Sequence, residues 1–250
     1  MINKINPFLT IFFFSSVLIT VSGCIKKDPE SSITQVLLVP LSPNLVPIAT
    51  ATPAISTDFS INGALYATSV GYNTTAGTVR YTLPYYTLEP KTSSTITYNV
   101  TGTPNKYASV TKDLEENKVY STFMIDSINK VKAVIVTDDL SDPSPGKVKI
   151  RFFHFSPNTP TIDILIQGGT NKLFANRSFN DQVANIAYES FIEIDPGTYT
   201  FLFNNTSTGA NVYTTSAQSL LPDRIYTIAA RGVVGNITSP IGAWVYPNKP

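Results

Sequence analysis

The chain holds one histidine, His154, and one cysteine, Cys24, so any imidazole or thiol chemistry must run through those two residues. A hydroxyl or thiol nucleophile needs a base within hydrogen-bonding reach, and here that base would have to be His154. It lies next to last in the run Lys147 to Phe155 (KVKIRFFHF), beside the turn Ser156-Pro157-Asn158, where an imidazole is expected to donate to a turn carbonyl and pack. Structural or catalytic zinc wants three or four Cys, His or carboxylate ligands, and the sequence supplies His154 with no such set. Asp58 and Asp163 occupy matching places in two similar segments, and paired carboxylates run glycoside hydrolysis. Each of them, however, sits on the polar face of its own strand with no second carboxylate beside it, as a solvent-facing residue bonding a neighbouring loop would. Gly168-Gly169-Thr170-Asn171-Lys172 reads as a hairpin turn, because no Gly-Lys-Ser/Thr follows a strand to hold phosphate. The sequence therefore names no catalytic residue, no metal site and no cofactor.

Binding is the remaining chemistry. Tyr81, Tyr85, Tyr86, Tyr98, Tyr213, Trp244 and Tyr246 could stack on pyranose C–H faces, although strand propensity alone enriches tyrosine and phenylalanine. The candidate binding residues are His154, Asn158, Asp163 and Trp244. Asn-x-Ser/Thr triplets such as those at Asn73, Asn176 and Asn236 reflect an Asn/Thr-rich surface rather than glycosylation.

Cys24 carries a different chemistry. Lys4 gives a short positive segment, Phe8 to Val21 is apolar apart from serines and threonines, and the small residues Ser22 and Gly23 precede the cysteine. That is the anatomy of a secretory signal peptide, and the apolar run is short of the ~20 residues of a comfortable membrane span. The ending Val21-Ser22-Gly23-Cys24 resembles the lipobox of bacterial lipoproteins, which implies that the Cys24 thiol is diacylated and that residues 1–23 are removed. Two acyl chains hold a bilayer stably where one is marginal. Residues 24–33 (CIKKDPESSI) are then a tether of about 30 Å at full extension. Lys27, Asp28 and Glu30 resemble the charged tags of surface-exported lipoproteins. The expectation is an outer-membrane lipoprotein facing outward, with a periplasm-facing one as the alternative. A lone cysteine forms no internal disulfide, so stability must come from packed cores.

The balance of 18 Lys+Arg against 17 Asp+Glu, at 14% charged residues, leaves no basic patch for nucleic acid. A monomer is expected. Short runs rich in Val, Ile, Thr, Tyr and Phe recur between Pro, Gly, Asn and Ser clusters, with no sustained helical period. In Lys147 to Phe155 the side chains of Val148, Ile150 and Phe152 share one face and Lys147, Lys149 and Arg151 the other. Thr161 to Gln167 alternates with Ile162, Ile164 and Ile166 inward and Asp163 outward. One greasy face at period two predicts half-buried antiparallel strands.

The same unit occurs twice. Ser42-Pro43-Asn44 matches Ser156-Pro157-Asn158, Thr57 to Gly63 matches Ile162 to Gly168, and Leu88-Glu89-Pro90 matches Ile194-Asp195-Pro196. From there the copies run in register at an offset of 106, pairing Tyr107 with Tyr213 (213 − 107), Leu114 with Leu220 (220 − 114) and Tyr120 with Tyr226 (226 − 120). The predicted units are 34–138 and 147–250, divided by the Pro-containing linker 139–146. The aspartates around that linker, Asp138, Asp139 and Asp142, lack the ligand spacing of a calcium loop. Two units of about 100 residues predict two tandem immunoglobulin-like antiparallel β-sandwiches in series. Leu220 through Tyr226 adds the spacing of a tyrosine corner, whose phenol bonds back to upstream backbone; Leu114 through Tyr120 keeps the Leu and Tyr with Glu116 in place of the proline.

The second unit also resembles the bacterial extracellular "domain of unknown function 4397" family. The resemblance rests on Phe152-Phe153-His154-Phe155-Ser156-Pro157-Asn158-Thr159-Pro160, Ile162-Asp163-Ile164, Leu173-Phe174 and Pro196-Gly197-Thr198-Tyr199-Thr200. It covers roughly residues 147–235, and 34–138 through the repeat. The family's turn aspartate is Asn158 here, and Pro40 stands in the first copy where His154 stands in the second. The resemblance implies β-sandwich modules of secreted or surface proteins and brings no activity, cofactor or catalytic residue. The function expected is a lipid-anchored, non-catalytic binding or adhesion protein of the cell envelope, with a glycan or protein ligand. A glycan-binding accessory lipoprotein of a polysaccharide-capture system and a purely structural spacer are the alternatives, and a hydrolase using Asp163 or His154 is the least favoured.

Overall fold

Each half of the chain builds two four-stranded sheets. The computed structural model describes residues 33–43, 56–71, 85–127, 130–237 and 239–249. The expected signal peptide, Cys24, the expected tether as far as Ser32, Asn44, Asn73 and Tyr81 lie outside the described residues. The first half contributes β1 (Thr34–Pro40), β2 (Ser56–Ile61), β3 (Ala64–Gly71), β4 (Tyr85–Leu88), β5 (Lys91–Val100), β6 (Lys106–Leu114), β7 (Val119–Ile125) and β8 (Lys132–Asp138). They pair in the orders β4-β1-β7-β8 and β3-β2-β5-β6.

The second half repeats this order. Its strands are β9 (Val148–His154), β10 (Ile162–Ile166), β11 (Lys172–Arg177), β12 (Ile192–Ile194), β13 (Gly197–Tyr199), β14 (Phe201–Asn205), β15 (Asn211–Thr214), β16 (Gln218–Leu220), β17 (Ile225–Arg231) and β18 (Gly242–Lys249). The sheets are β12-β9-β17-β18 and β11-β10-β14-β15, with β13 and β16 as a separate pair. The fold is all-β, but the strand order is not the immunoglobulin one, in which the first strand shares a sheet with the second, fifth and fourth. Here the first strand of each half runs parallel to a late one, β1 beside β7 and β9 beside its repeat equivalent β17, so one sheet of each half is mixed and the other antiparallel. The tyrosine corner is nonetheless present twice. The Tyr120 hydroxyl accepts from the Glu115 amide at 3.1 Å and the Tyr226 hydroxyl from the Leu221 amide at 3.2 Å. The corner therefore depends on the tyrosine and its distance from the turn, not on the proline.

Each sandwich closes on its own core, one around Phe59, Ile96 and Tyr98 and the other around Phe152, Ile164 and Phe203. A third core joins the halves. Leu37, Val39, Phe123, Val134 and Val136 on the outer face of the β4-β1-β7-β8 sheet pack against Phe153, Phe155, Ala229, Trp244 and Tyr246. The two halves thus share one interior between sheet faces instead of standing apart in series, and Ser32–Pro250 is a single compact unit. This corrects the reading of β9 as a half-buried strand with Arg151 on its wet face: Arg151 is fully buried. Burial on both faces also explains why β1 (TQVLLVP) reads as a continuous apolar run after its first two residues.

Candidate functional site

The residues picked out by chemistry are held in place by the scaffold. His154 is fully buried at the end of β9 and its Nε2 meets the Pro160 carbonyl at 3.3 Å. Burial away from water pushes its imidazole down to about 4, so it is neutral at physiological pH. The Asp58 carboxylate accepts from the backbone amides of Gly102 and Ser69, both at 2.9 Å, and these hold it below the usual carboxylate range. Asp163 accepts from the Asn176 amide at 2.8 Å and pairs with Lys172 at 2.7 Å. Burial opposes its charge, and the lysine and the amide together outweigh that, leaving its acidity increased. It is 3% exposed, so it is not the solvent-facing residue that strand alternation suggested.

The two aspartates perform one local task. Ser69 and Asn176 both have positive φ, 53° in each case, in the third strand of their halves. A carboxylate on the second strand receives the amide of that left-handed residue and pins the irregularity, where the register with the second strand shifts.

The Ser-Pro-Asn turn has a comparable role. Ser42 Oγ donates to the Asp126 carbonyl and Ser156 Oγ to the Gly232 carbonyl, both at 2.7 Å. Asp126 and Gly232 (232 − 126 = 106) follow the equivalent strands β7 and β17 with φ of 72° and 81°. The serine therefore clasps the chain where it leaves that strand. Asn158 extends the clasp: its amide oxygen accepts from Val234 N at 2.9 Å and its amide nitrogen donates to Val234 O at 3.1 Å.

The aromatic set does not make one surface. Tyr98 and Tyr246 are buried, and Trp244, 8% exposed, packs on Tyr246 between the halves at 5.4 Å. Tyr85, Tyr86 and Tyr213 are half-buried, Tyr86 and Tyr213 against the cores of their own halves and Tyr85 against the core between the halves. Strand alternation could not reveal this for Trp244 and Tyr246, because β18 is covered on both sides.

An open cleft of about 300 Å³ lies at the opposite end of the first half from the serine clasp. Asn62 and Ala64 of the β2–β3 turn, Leu88, Glu89 and Pro90 after β4, and Lys91, Ser94 and Leu114 of β5 and β6 line it, with Tyr66 and Ile61. The turn is built by Asn62 at φ 51° and Gly63 at φ 82°, the left-handed pair that a tight hairpin requires. Asn62 Oδ1 accepts from the Thr95 amide at 2.9 Å, and its Nδ2 donates to the buried Ser94 hydroxyl at 3.3 Å. Tyr66 is held edge-on to Tyr86 at 5.5 Å, presenting a ring to the cleft, while Glu89 and Lys91 are exposed beside it. Sequence reading missed this site because its walls come from three separated segments. The repeat held a clue in the unlike residues Ser93 and Tyr199 at one register position.

A repeat-built all-β chain whose ionisable candidates are engaged in backbone clasps is a β-sandwich scaffold with a cleft at one end. Residues 44–165 match the model of the family described as Domain of unknown function (DUF4397). The match lies mostly in the first half and ends within β10, whereas the resemblance was drawn chiefly from residues of the second. No curated protein matches the chain. Among solved structures, CBMbc of family CBM26 from Eubacterium rectale Amy13K, in complex with maltoheptaose, is similar at 13% identity and a TM-score of 0.25. That alignment covers 87% of this chain and 98% of the other. A TM-score that low transfers neither site nor ligand.

Proposed function

We propose that the protein is a lipid-anchored component of the cell envelope that binds a ligand without transforming it, and that the first-half cleft is where it binds. The observation that carries this is the contrast between the cleft and the polar candidates. His154, Asp58, Asp163 and Asn158 all serve backbone geometry, whereas the cleft joins an aromatic wall to charged groups at its mouth. Ligand sites are commonly concave and largely apolar, with a few polar groups placed for orientation. Anchoring rests on the sequence around Cys24, and the cleft lies at the end of the sandwich where β1 begins.

The test is adhesion of intact cells, with a glycan array on the purified protein, for the wild type and an Ala64→Trp variant that fills the cleft from its exposed wall. Binding by the wild type that Ala64→Trp abolishes supports the reading. Ligand capture unchanged by Ala64→Trp removes the cleft from it, and no binding across both formats leaves the spacer role.

A further inference from the structure

The second half carries the same cleft, closed by one of its own side chains. At the offset of 106, the cleft residues Leu88, Glu89, Pro90, Lys91 and Leu114 correspond to Ile194, Asp195, Pro196, Gly197 and Leu220 (220 − 114 = 106). Tyr199 lies across these equivalents. Its hydroxyl donates to the Asp195 carbonyl at 2.8 Å. Its ring packs on the core of the second half, 6.2 Å from Phe201. The ring runs so close over Gly197 that a Cβ there would stand 3.3 Å from its Cζ and hydroxyl oxygen.

The first half is built so that it cannot close itself in this way. Ser93 holds the position of Tyr199 (199 − 93 = 106) and is absent from the cleft lining. Its φ of 49° and the bond from its amide to Asp113 Oδ1 at 2.7 Å turn the backbone into a bulge, where the β5–β6 register shifts. Lys91 replaces Gly197, and its Cβ, at the position 3.3 Å from the ring in the second half, would set a ring bound here a few tenths of an ångström further out. The cleft volume is at the small end for ligand pockets, which gives room for a single ring.

We infer that the first-half cleft receives a phenolic ring from outside the chain, in a pose close to the one Tyr199 takes within the second half but set slightly outward by Lys91. The inference rests on the binding reading above and gives it a ligand class. The ring lies against Tyr66, Leu88 and Leu114, and its hydroxyl donates to the Glu89 carbonyl, the counterpart of the Asp195 carbonyl. A free small phenol and a tyrosine side chain of a peptide share this chemistry.

The experiment is a fluorine NMR titration of 4-fluorophenol into the full chain held in lipid nanodiscs, with empty nanodiscs as reference. The wild type should show one saturable site, Ala64→Trp should weaken it at least tenfold, and Tyr199→Ala should add a second site by opening the other cleft. Displacement by a Gly-Tyr-Gly peptide assigns the source to tyrosine, and its failure to displace assigns it to free phenols. The inference is overturned if the wild type has no saturable site, if Ala64→Trp binds as the wild type does, or if cyclohexanol competes as well as p-cresol. Should Tyr199→Ala not fold, the wild-type and Ala64→Trp arms still decide. Adhesion lost in Ala64→Trp without phenol binding would sink the ligand class and leave the binding role standing.

Discussion

Arg151 Nη2 stands 2.6 Å from Asp138 Oδ1, with both side chains fully buried, and the pair joins the second half of the chain to the first. The guanidinium lies between the rings of Phe153 and Phe191, at 4.7 and 4.4 Å, and its Nε donates to Thr227 at 2.8 Å. The other carboxylate oxygen of Asp138 accepts from Ser121 at 2.6 Å and from Tyr85 at 3.3 Å. Charges stripped of water on both sides are tolerable only while both are present. The pair therefore fixes how the two sheet faces meet more than it adds net stability.

Asp138→Ala should accordingly destabilise the protein by about 3–5 kcal/mol, since it strands a buried guanidinium. The double variant Asp138→Leu/Arg151→Met, apolar on both sides, should recover most of that loss. Urea unfolding of the two variants checks this; equal midpoints for single and double would show that the guanidinium finds water in the single variant.

Much of this architecture was readable in the residues, and the limits have physical causes. The duplicated Ser-Pro-Asn turns and the Leu-to-Tyr spacing are local signals, so the two halves and both tyrosine corners follow from the chain alone. Strand order is not local. Nothing in β1 states that its neighbours are β4 and β7, and so the immunoglobulin order was inferred where a different one exists. Arg151 misled for a related reason: a charge at period two marks a wet face only when nothing covers it, and here the first half does. The cleft was hidden because Tyr66, Leu88 and Leu114 converge only after folding, although Ser93 facing Tyr199 in the repeat already marked a place where the halves differ.

His154 should make stability fall in mild acid. Its imidazole titrates near 4 when folded against an ordinary 6.5, because burial outweighs the nearby Asp181 charge and Arg177 adds to the penalty. Between those values the unfolded chain binds the extra proton. The contribution is thus fully present above about pH 6.5, shrinks as pH falls, and flattens below about 4, with a total of about 3 kcal/mol. Denaturant melts at pH 7 and pH 4.5 should differ for the wild type and differ less for His154→Gln; an identical slope in both would place the proton elsewhere.

Gly232→Ala should be among the most damaging small substitutions. Gly232 has φ of 81°, and a Cβ there would fall 2.0 Å from the Pro240 carbonyl oxygen, a backbone atom that cannot swing aside. Its own carbonyl accepts from Ser156, so the shift would also break the clasp of the Ser-Pro-Asn turn. Strain at such a position is of order 1–3 kcal/mol before the clash is counted. Ser156→Ala, which removes the clasp and the hydroxyl bond to Thr159, should cost less, about 1–2 kcal/mol. Thermal melts of the two variants rank them, and the reverse order would mean the loop yields freely.

Trp244 and Tyr66 should separate stability from binding. Trp244 belongs to the core between the halves, so Trp244→Ala leaves a void there and should cost about 3–5 kcal/mol. Its folded fraction should keep wild-type capture at the cleft, since no cleft wall touches that core through Trp244. Tyr66 is half-buried against Tyr86 and forms a wall of the cleft. Tyr66→Ala should cost less stability, about 1–2 kcal/mol for partial burial of one ring, while weakening 4-fluorophenol binding several-fold. Unfolding midpoints and titrations on the same two samples check both halves of the claim. Binding lost in Trp244→Ala at full folding, with Tyr66→Ala unaffected, would move the recognition surface from the cleft to the seam between the sandwiches.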